Sequence, residues 1–193
     1  MSEKKKITVY SDFLWPFCFI GKTPLDQLVK EHGIEVEWKA FELRPEGVDI
    51  PEHPPEYMAR ARAGVEAMSK QYGIEMKWND KSKHSRHALE GAKFAEANGM
   101  GDAYHEAVFR AHFQQDKAIN DVNTLVEIAG TLGLNAEAFR KALETREYES
   151  AVLRDTEEAQ AIGITGIPCF ISGNRGVMGA QSYESLLRLI NGE

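Results

Sequence analysis

The chain has 193 residues, 42% of them hydrophobic and 27% charged, which allows one sizeable core without demanding two independent domains. A formal net charge of -7, with no Lys/Arg stripe beyond Lys4-Lys5-Lys6, excludes a nucleic-acid surface, because phosphate neutralisation needs concentrated positive charge. No window approaches transmembrane length, no apolar run with a small-residue cleavage site follows the basic start, and two cysteines are too few for a secreted disulfide scaffold. The expected setting is the cytoplasm, with no membrane and no nucleic-acid partner.

In chain order, Lys6 to Tyr10 alternates and runs into Ser11-Asp12, the pattern of a strand entering a helix-start loop. Pro16 to Glu31 turns helical, with Phe19, Ile20, Leu25, Leu28 and Val29 on one side and Gly33 as the stop. Thr23-Pro24 inside that span is a cap-and-first-turn signal, so a kink or restart is expected there. Ile34 to Phe41 alternates strictly and gives a second strand. A β-α-β unit this compact calls for parallel strands joined by a right-handed crossover.

Arg44 to Pro55 is rich in Pro, Gly and acids and reads as a loop. The next hundred or so residues are helical in pattern, with segments near Pro55 to Tyr72, Ser85 to Asn98, Met100 to Phe113, Val122 to Leu132, Ala136 to Leu143 and Glu147 to Ile162. Gly73, Gly99 and Gly133 mark stops, and Asp121 and Asn135 mark caps. Pro168 to Ile171 then forms a strand, Gly173 to Gly176 a turn, Val177-Met178 a strand, and Ser182 caps a last helix through Leu186, Leu187 and Ile190. The layout is α/β, a sheet domain split by helices that close over one face of it.

The stretch SDFLWPFCFIGK, Ser11 to Lys22, has the flanks of a thiol redox site and a single cysteine. Together with GIP at Gly166 to Pro168, the segment EVEWKAFELRPEG, the segment HSRHALEGAKFA and the closing RDTEEAQAIGITGIPCFISGNRGVMGAQ, it resembles the DsbA-like thioredoxin-fold family over nearly the whole chain. The likeness is closest to the FrnE-type branch, which is related to the 2-hydroxychromene-2-carboxylate isomerases and the kappa-class glutathione transferases. It implies a thioredoxin-like fold with a large all-helical insertion between the β-α-β and β-β-α halves. The thioredoxin-like domain would be discontinuous, 1–45 and 160–193, with 46–159 as the helical insertion.

The resemblance also implies roles. The family's nucleophilic cysteine sits at the helix N-terminus, where exposed amide N–H groups favour a thiolate. That position is held by Trp15, while Cys18 holds the resolving position. Pro168 matches the family's cis-proline, so Cys18 and Pro168 are the catalytic candidates. Ser11, Asp12, Trp15, Phe17, Ile167 and His84 are the substrate-binding candidates, and Cys169 is a second thiol able to pair with Cys18 if the two Cα atoms come within about 7 Å. Against these stand plainer readings, Cys18 and Cys169 as small buried core residues and His84 as a capping or surface residue.

Three functions remain open. One is a thiol-disulfide oxidoreductase with a degenerate WPFC site, another a glutathione-dependent isomerase or transferase, and the third a non-catalytic binding protein of the same fold. No cofactor is required and glutathione is admissible. The partner is a thiol- or disulfide-containing peptide or small molecule, with room for a homodimer. His84 and His87, or His105 and His112, have helical spacings from which a metal site can be imagined, but no zinc-like cluster occurs and none is expected. Tyr57, Met58, Met68, Met76 and Trp78 could form an adaptable apolar lining.

Overall fold

The computed structural model describes residues 4–193. The chain opens with β1 (Lys6–Ser11), α1 (Pro16–Ile20), α2 (Lys22–His32) and β2 (Glu35–Ala40). Helices α3 (Pro55–Tyr72), α4 (Arg86–Ala97), α5 (Gly101–Phe113), α6 (Val122–Thr131), α7 (Ala136–Glu144) and α8 (Glu149–Ala161) follow. It closes with β3 (Cys169–Ser172), β4 (Arg175–Met178) and α9 (Tyr183–Asn191). The strands lie in the order β2-β1-β3-β4, with β1 parallel to β2 and antiparallel to β3, and β3 antiparallel to β4.

Strand alternation divides the apolar side chains between two cores. Ile7, Val9, Trp38 and Phe170 pack with Leu25 and Leu28 of α2 and Leu186, Leu189 and Ile190 of α9. Tyr10 and Cys169, next to Val9 and Phe170 and turned to the opposite face, join a larger core with Phe13, Phe19, Tyr104, Phe109, Phe113 and Phe139, which Ala40 at the end of β2 also reaches. That second core is continuous from the sheet into the helices. Among the described residues no helix is long and apolar enough to cross a membrane.

The caps read from the sequence are made by side chains. Asp121 accepts from the Thr124 N–H at 3.2 Å, Asn135 from the Ala138 N–H at 3.0 Å and Ser182 from the Ser185 N–H at 3.1 Å. Gly33 and Gly73 end their helices in the left-handed conformation, which only glycine enters without a Cβ penalty.

Two local expectations are corrected. The helix after β1 breaks at Gly21, not at Thr23-Pro24. Gly21 closes α1 by donating to the Phe17 carbonyl at 2.9 Å, and Pro24 falls in the first turn of α2, where a missing N–H leaves no bond unmade. The last hairpin turns on Gly173-Asn174 alone, with Gly173 at φ 60° and Ser172 paired with Arg175, so β4 begins at Arg175 and includes Gly176.

Glu96, in the last turn of α4, packs against Gly101, and burial pushes its carboxyl up to about 7, with Lys93 opposing. A folded-state pKa above the unfolded value means that its contribution is fully present below about 4.5 and is lost as pH rises through 7. Glu96→Gln should therefore gain stability over the parent chain at pH 8 relative to pH 5, on the order of 1–2 kcal/mol. Denaturant unfolding at both pH values checks this, and an equal difference at the two would contradict it.

Candidate functional site

The chain leaves β1 at Ser11 and turns on Asp12, whose carboxylate is fully buried. One oxygen accepts from the Leu14 N–H and the other from the Leu43 N–H, each at 2.9 Å, so a single side chain fastens the loop before α1 to the exit of β2. Burial raises its pKa and the two N–H bonds resist the rise. Trp15 is the N-cap residue of α1 with Pro16 at N1, and no side chain caps that end.

The Trp15 and Phe17 rings lie 5.8 Å apart at 52°, both half-buried. Cys18 turns the other way, 3% exposed, into the core with Phe19 and Ile20. Burial pushes its thiol up to about 12, with the Asp12 N–H giving the largest opposing effect. At neutral pH only roughly one such group in a hundred thousand is a thiolate. The buried Ser11 hydroxyl beside it also opposes the rise.

The opposite wall comes from the far end of the chain. The Ile167–Pro168 peptide is cis, and the proline ring lies 3.3 Å from where a Cβ on Gly21 would stand. Glycine at that position is what lets the proline approach the end of α1. The Pro168 carbonyl accepts from Gly179 at 2.7 Å, tying the loop to the end of β4. Cys169 is paired across the sheet with Tyr10 on one side and Met178 on the other, is 3% exposed, and has a thiol that burial also raises. Both cysteines are free and share one apolar core.

His84 sits further out, its Nδ1 2.9 Å from the Arg44 carbonyl. His105 and His112 are buried on α5, and burial lowers their pKa values to about 3 and 4. The His105 ring stacks on Trp38 at 4.2 Å, so it serves as packing between α5 and β2. Among the described residues no group of three or more His, Cys, Asp or Glu converges as a metal site would.

Residues 6–191 match the DSBA-like thioredoxin domain. The chain belongs to this family. YwbO of Bacillus subtilis (strain 168), an uncharacterized protein, is 34% identical over 192 residues, covering 97% of this chain and 96% of YwbO. The crystal structure of a probable DsbA oxidoreductase, SCO1869 from Streptomyces coelicolor, superposes with a TM-score of 0.83 at 27% identity, covering 98% of this chain and 91% of that one. Two further likenesses are of fold alone. A 2-hydroxychromene-2-carboxylate isomerase has a TM-score of 0.83 at 20% identity, covering 97% and 93%. The cytosolic disulfide reductase DsbM of Pseudomonas aeruginosa, solved with GSH, has 0.68 at 18%, covering 95% and 92%.

Within this DsbA-like frame the structure gathers Ser11, Asp12, Trp15, Phe17 and Cys18 at the end of β1, with Pro168 against the end of α1. Four contributors were not singled out in the sequence. Gly21 admits Pro168, Gly64 faces the Phe17 ring, Leu43 supplies an N–H to Asp12, and Ser85 is buried in contact with the Asp12 carboxyl. A glycine between two helical runs was the one available signal. The others depend on contacts between residues more than thirty positions apart.

Proposed function

We propose that this DsbA-family chain binds a thiol of the glutathione class beside Trp15 and Pro168, and acts on thiol or disulfide substrates with sulfur supplied by that ligand. The observation that carries this reading is the state of Cys18, a buried thiol of high pKa with an indole where the family's nucleophile would be. An enzyme that used Cys18 would need a thiolate, and this environment suppresses one. Trp15 keeps an N–H donor able to face a sulfur, and the N–H and carbonyl of Ile167 are in no backbone hydrogen bond among the described residues. The fold shared with the isomerase and with DsbM is in keeping with such a ligand.

The test is thermal. Millimolar glutathione should raise the melting temperature of both the parent chain and Cys18→Ala, since a ligand that binds only the native state stabilises it. Trp15→Ala should lose the shift. A shift that disappears in Cys18→Ala would sink the reading. The competing one, a Cys18–Cys169 dithiol couple, draws on their shared core. It would require the free-thiol count of the denatured chain to fall from two to zero after mild oxidation.

A further inference from the structure

The outer edge of β2 is sealed over one half and open over the other. In a parallel ladder alternate residues turn their N–H and C=O groups to opposite sides of the strand. Glu35 N–H donates to the Lys5 carbonyl and Phe41 N–H to the Ser11 carbonyl, so the odd-numbered residues of β2 bond to β1 and the even-numbered ones face outward. At the C-terminal half α8 seals the edge, where the Asp155 carboxylate accepts from Ala40 N–H at 3.0 Å and the Thr156 hydroxyl from Glu42 N–H at 3.1 Å. Val36 and Trp38 receive no such cover. β2 is the last strand of the sheet, and their outward N–H and C=O groups are in no hydrogen bond among the described residues.

These two residues line a groove of about 480 Å³ between β2 and the turn that joins α4 to α5. Clefts that hold ligands span roughly 300–1,000 Å³. Glu35, Glu37, Glu96 and Asp102 also line it, and no lysine or arginine does. Lys6 and Lys93 reach Glu37 and Glu96 from outside, at 3.1 and 3.7 Å, which leaves the lining with a surplus of negative charge. Burial pushes the Glu96 carboxyl up to about 7, with Asp155 and Glu37 adding to the rise against Lys93, the state of an acid short of a cation. The groove lies at the Lys6–Glu35 end of the paired strands, and Ser11, which leads to Trp15, is at the other end.

We propose that this edge docks a protein partner by strand addition, through an extended segment that carries lysine or arginine. Backbone bonds to Val36 and Trp38 align the segment, and the acids select its charge. A second copy of the chain is the poorer occupant. Two such edges meeting bring the acids of one copy beside those of the other, and like charges set opposite one another are destabilising. The same acids thus keep the open edge from pairing with itself while admitting a cationic strand.

The probe is a fluorescein-labelled, amidated peptide, Lys-Val-Thr-Val-Lys-Val-Thr, followed by fluorescence polarisation with the full chain. Its counterpart with glutamate for both lysines should bind about tenfold more weakly. Val36→Pro, which an edge strand tolerates where the N–H faces outward, removes one backbone donor and should weaken the lysine peptide about tenfold. Glu35→Lys should weaken it about threefold. The melting transition without peptide checks folding, and Glu35→Lys, at an exposed side chain, carries the test if Val36→Pro does not fold. Failure of the lysine peptide to bind overturns the proposal, as does equal affinity for the two peptides or the parent's affinity in a folded variant. A parent that sediments as a dimer while Val36→Pro sediments as a monomer also overturns it and gives the edge to a second copy.

Discussion

Gly91→Ala is expected to destabilise the fold by about 3 kcal/mol or more, the upper range for forcing volume into a packed core. Gly91 lies in α4, where the helix crosses α5 and α7. A Cβ there would stand 2.2 Å from the Tyr104 hydroxyl, 2.7 Å from Cζ of Phe139 and 2.9 Å from Cζ of Tyr104. Neither ring can yield cheaply. The Tyr104 hydroxyl donates to the Ala88 carbonyl at 2.8 Å, and the two rings sit 6.0 Å apart with no exposure on either. Adding Tyr104→Phe removes the closest atom and leaves the other two contacts, so it should recover part of the loss. Chemical denaturation of the two variants and the parent measures both steps. A Gly91→Ala chain as stable as the parent would mean that α4 and α5 are not packed this closely.

Gly91 also shows where sequence reading stops. Its surroundings, EGAKFA, look like an ordinary helical run, and a glycine within it registers only as a modest propensity penalty. The reason for it lies on α5 and α7, 13 and 48 positions further on. Elements set by local chemistry were legible, as with the alternation of β1 and β2, the caps at Asp121, Asn135 and Ser182, and the stop at Gly33. The break at Gly21 was not, because Thr23-Pro24 carries the stronger local signal while the contact with Pro168 comes from the far end of the chain. The same holds at the site. WPFC announced a missing nucleophile, but the burial of Cys18 depends on how distant segments stack.

Arg86→Ala should be comparably harmful, by about 3–5 kcal/mol, because it strands a buried carboxylate. Glu42, just past β2, is 4% exposed and is gripped by Arg86 through two bonds, Nε to Oε2 at 2.9 Å and Nη2 to Oε1 at 2.6 Å. Arg86 also lies 3.6 Å from Glu149, which is 2.9 Å from Arg146, which in turn holds the fully buried Glu90. The chain of charges joins the exit of β2 to the starts of α4 and α8. The loss should come mostly from the carboxylate left behind, so Glu42→Ala/Arg86→Ala ought to be more stable than Arg86→Ala alone. Arg86→Lys should fall between parent and alanine, since an ammonium cannot make the paired bonds of a guanidinium. The site should register the change as well. Leu43, the residue after Glu42, donates to Asp12, so loosening the exit of β2 weakens one of the two bonds that set the loop before Trp15. Glutathione-induced stabilisation should therefore drop in Arg86→Ala and return in Glu42→Ala/Arg86→Ala. If the double variant is no more stable than the single one, the pair holds the fold by its mutual attraction, and desolvation of Glu42 is not the governing effect.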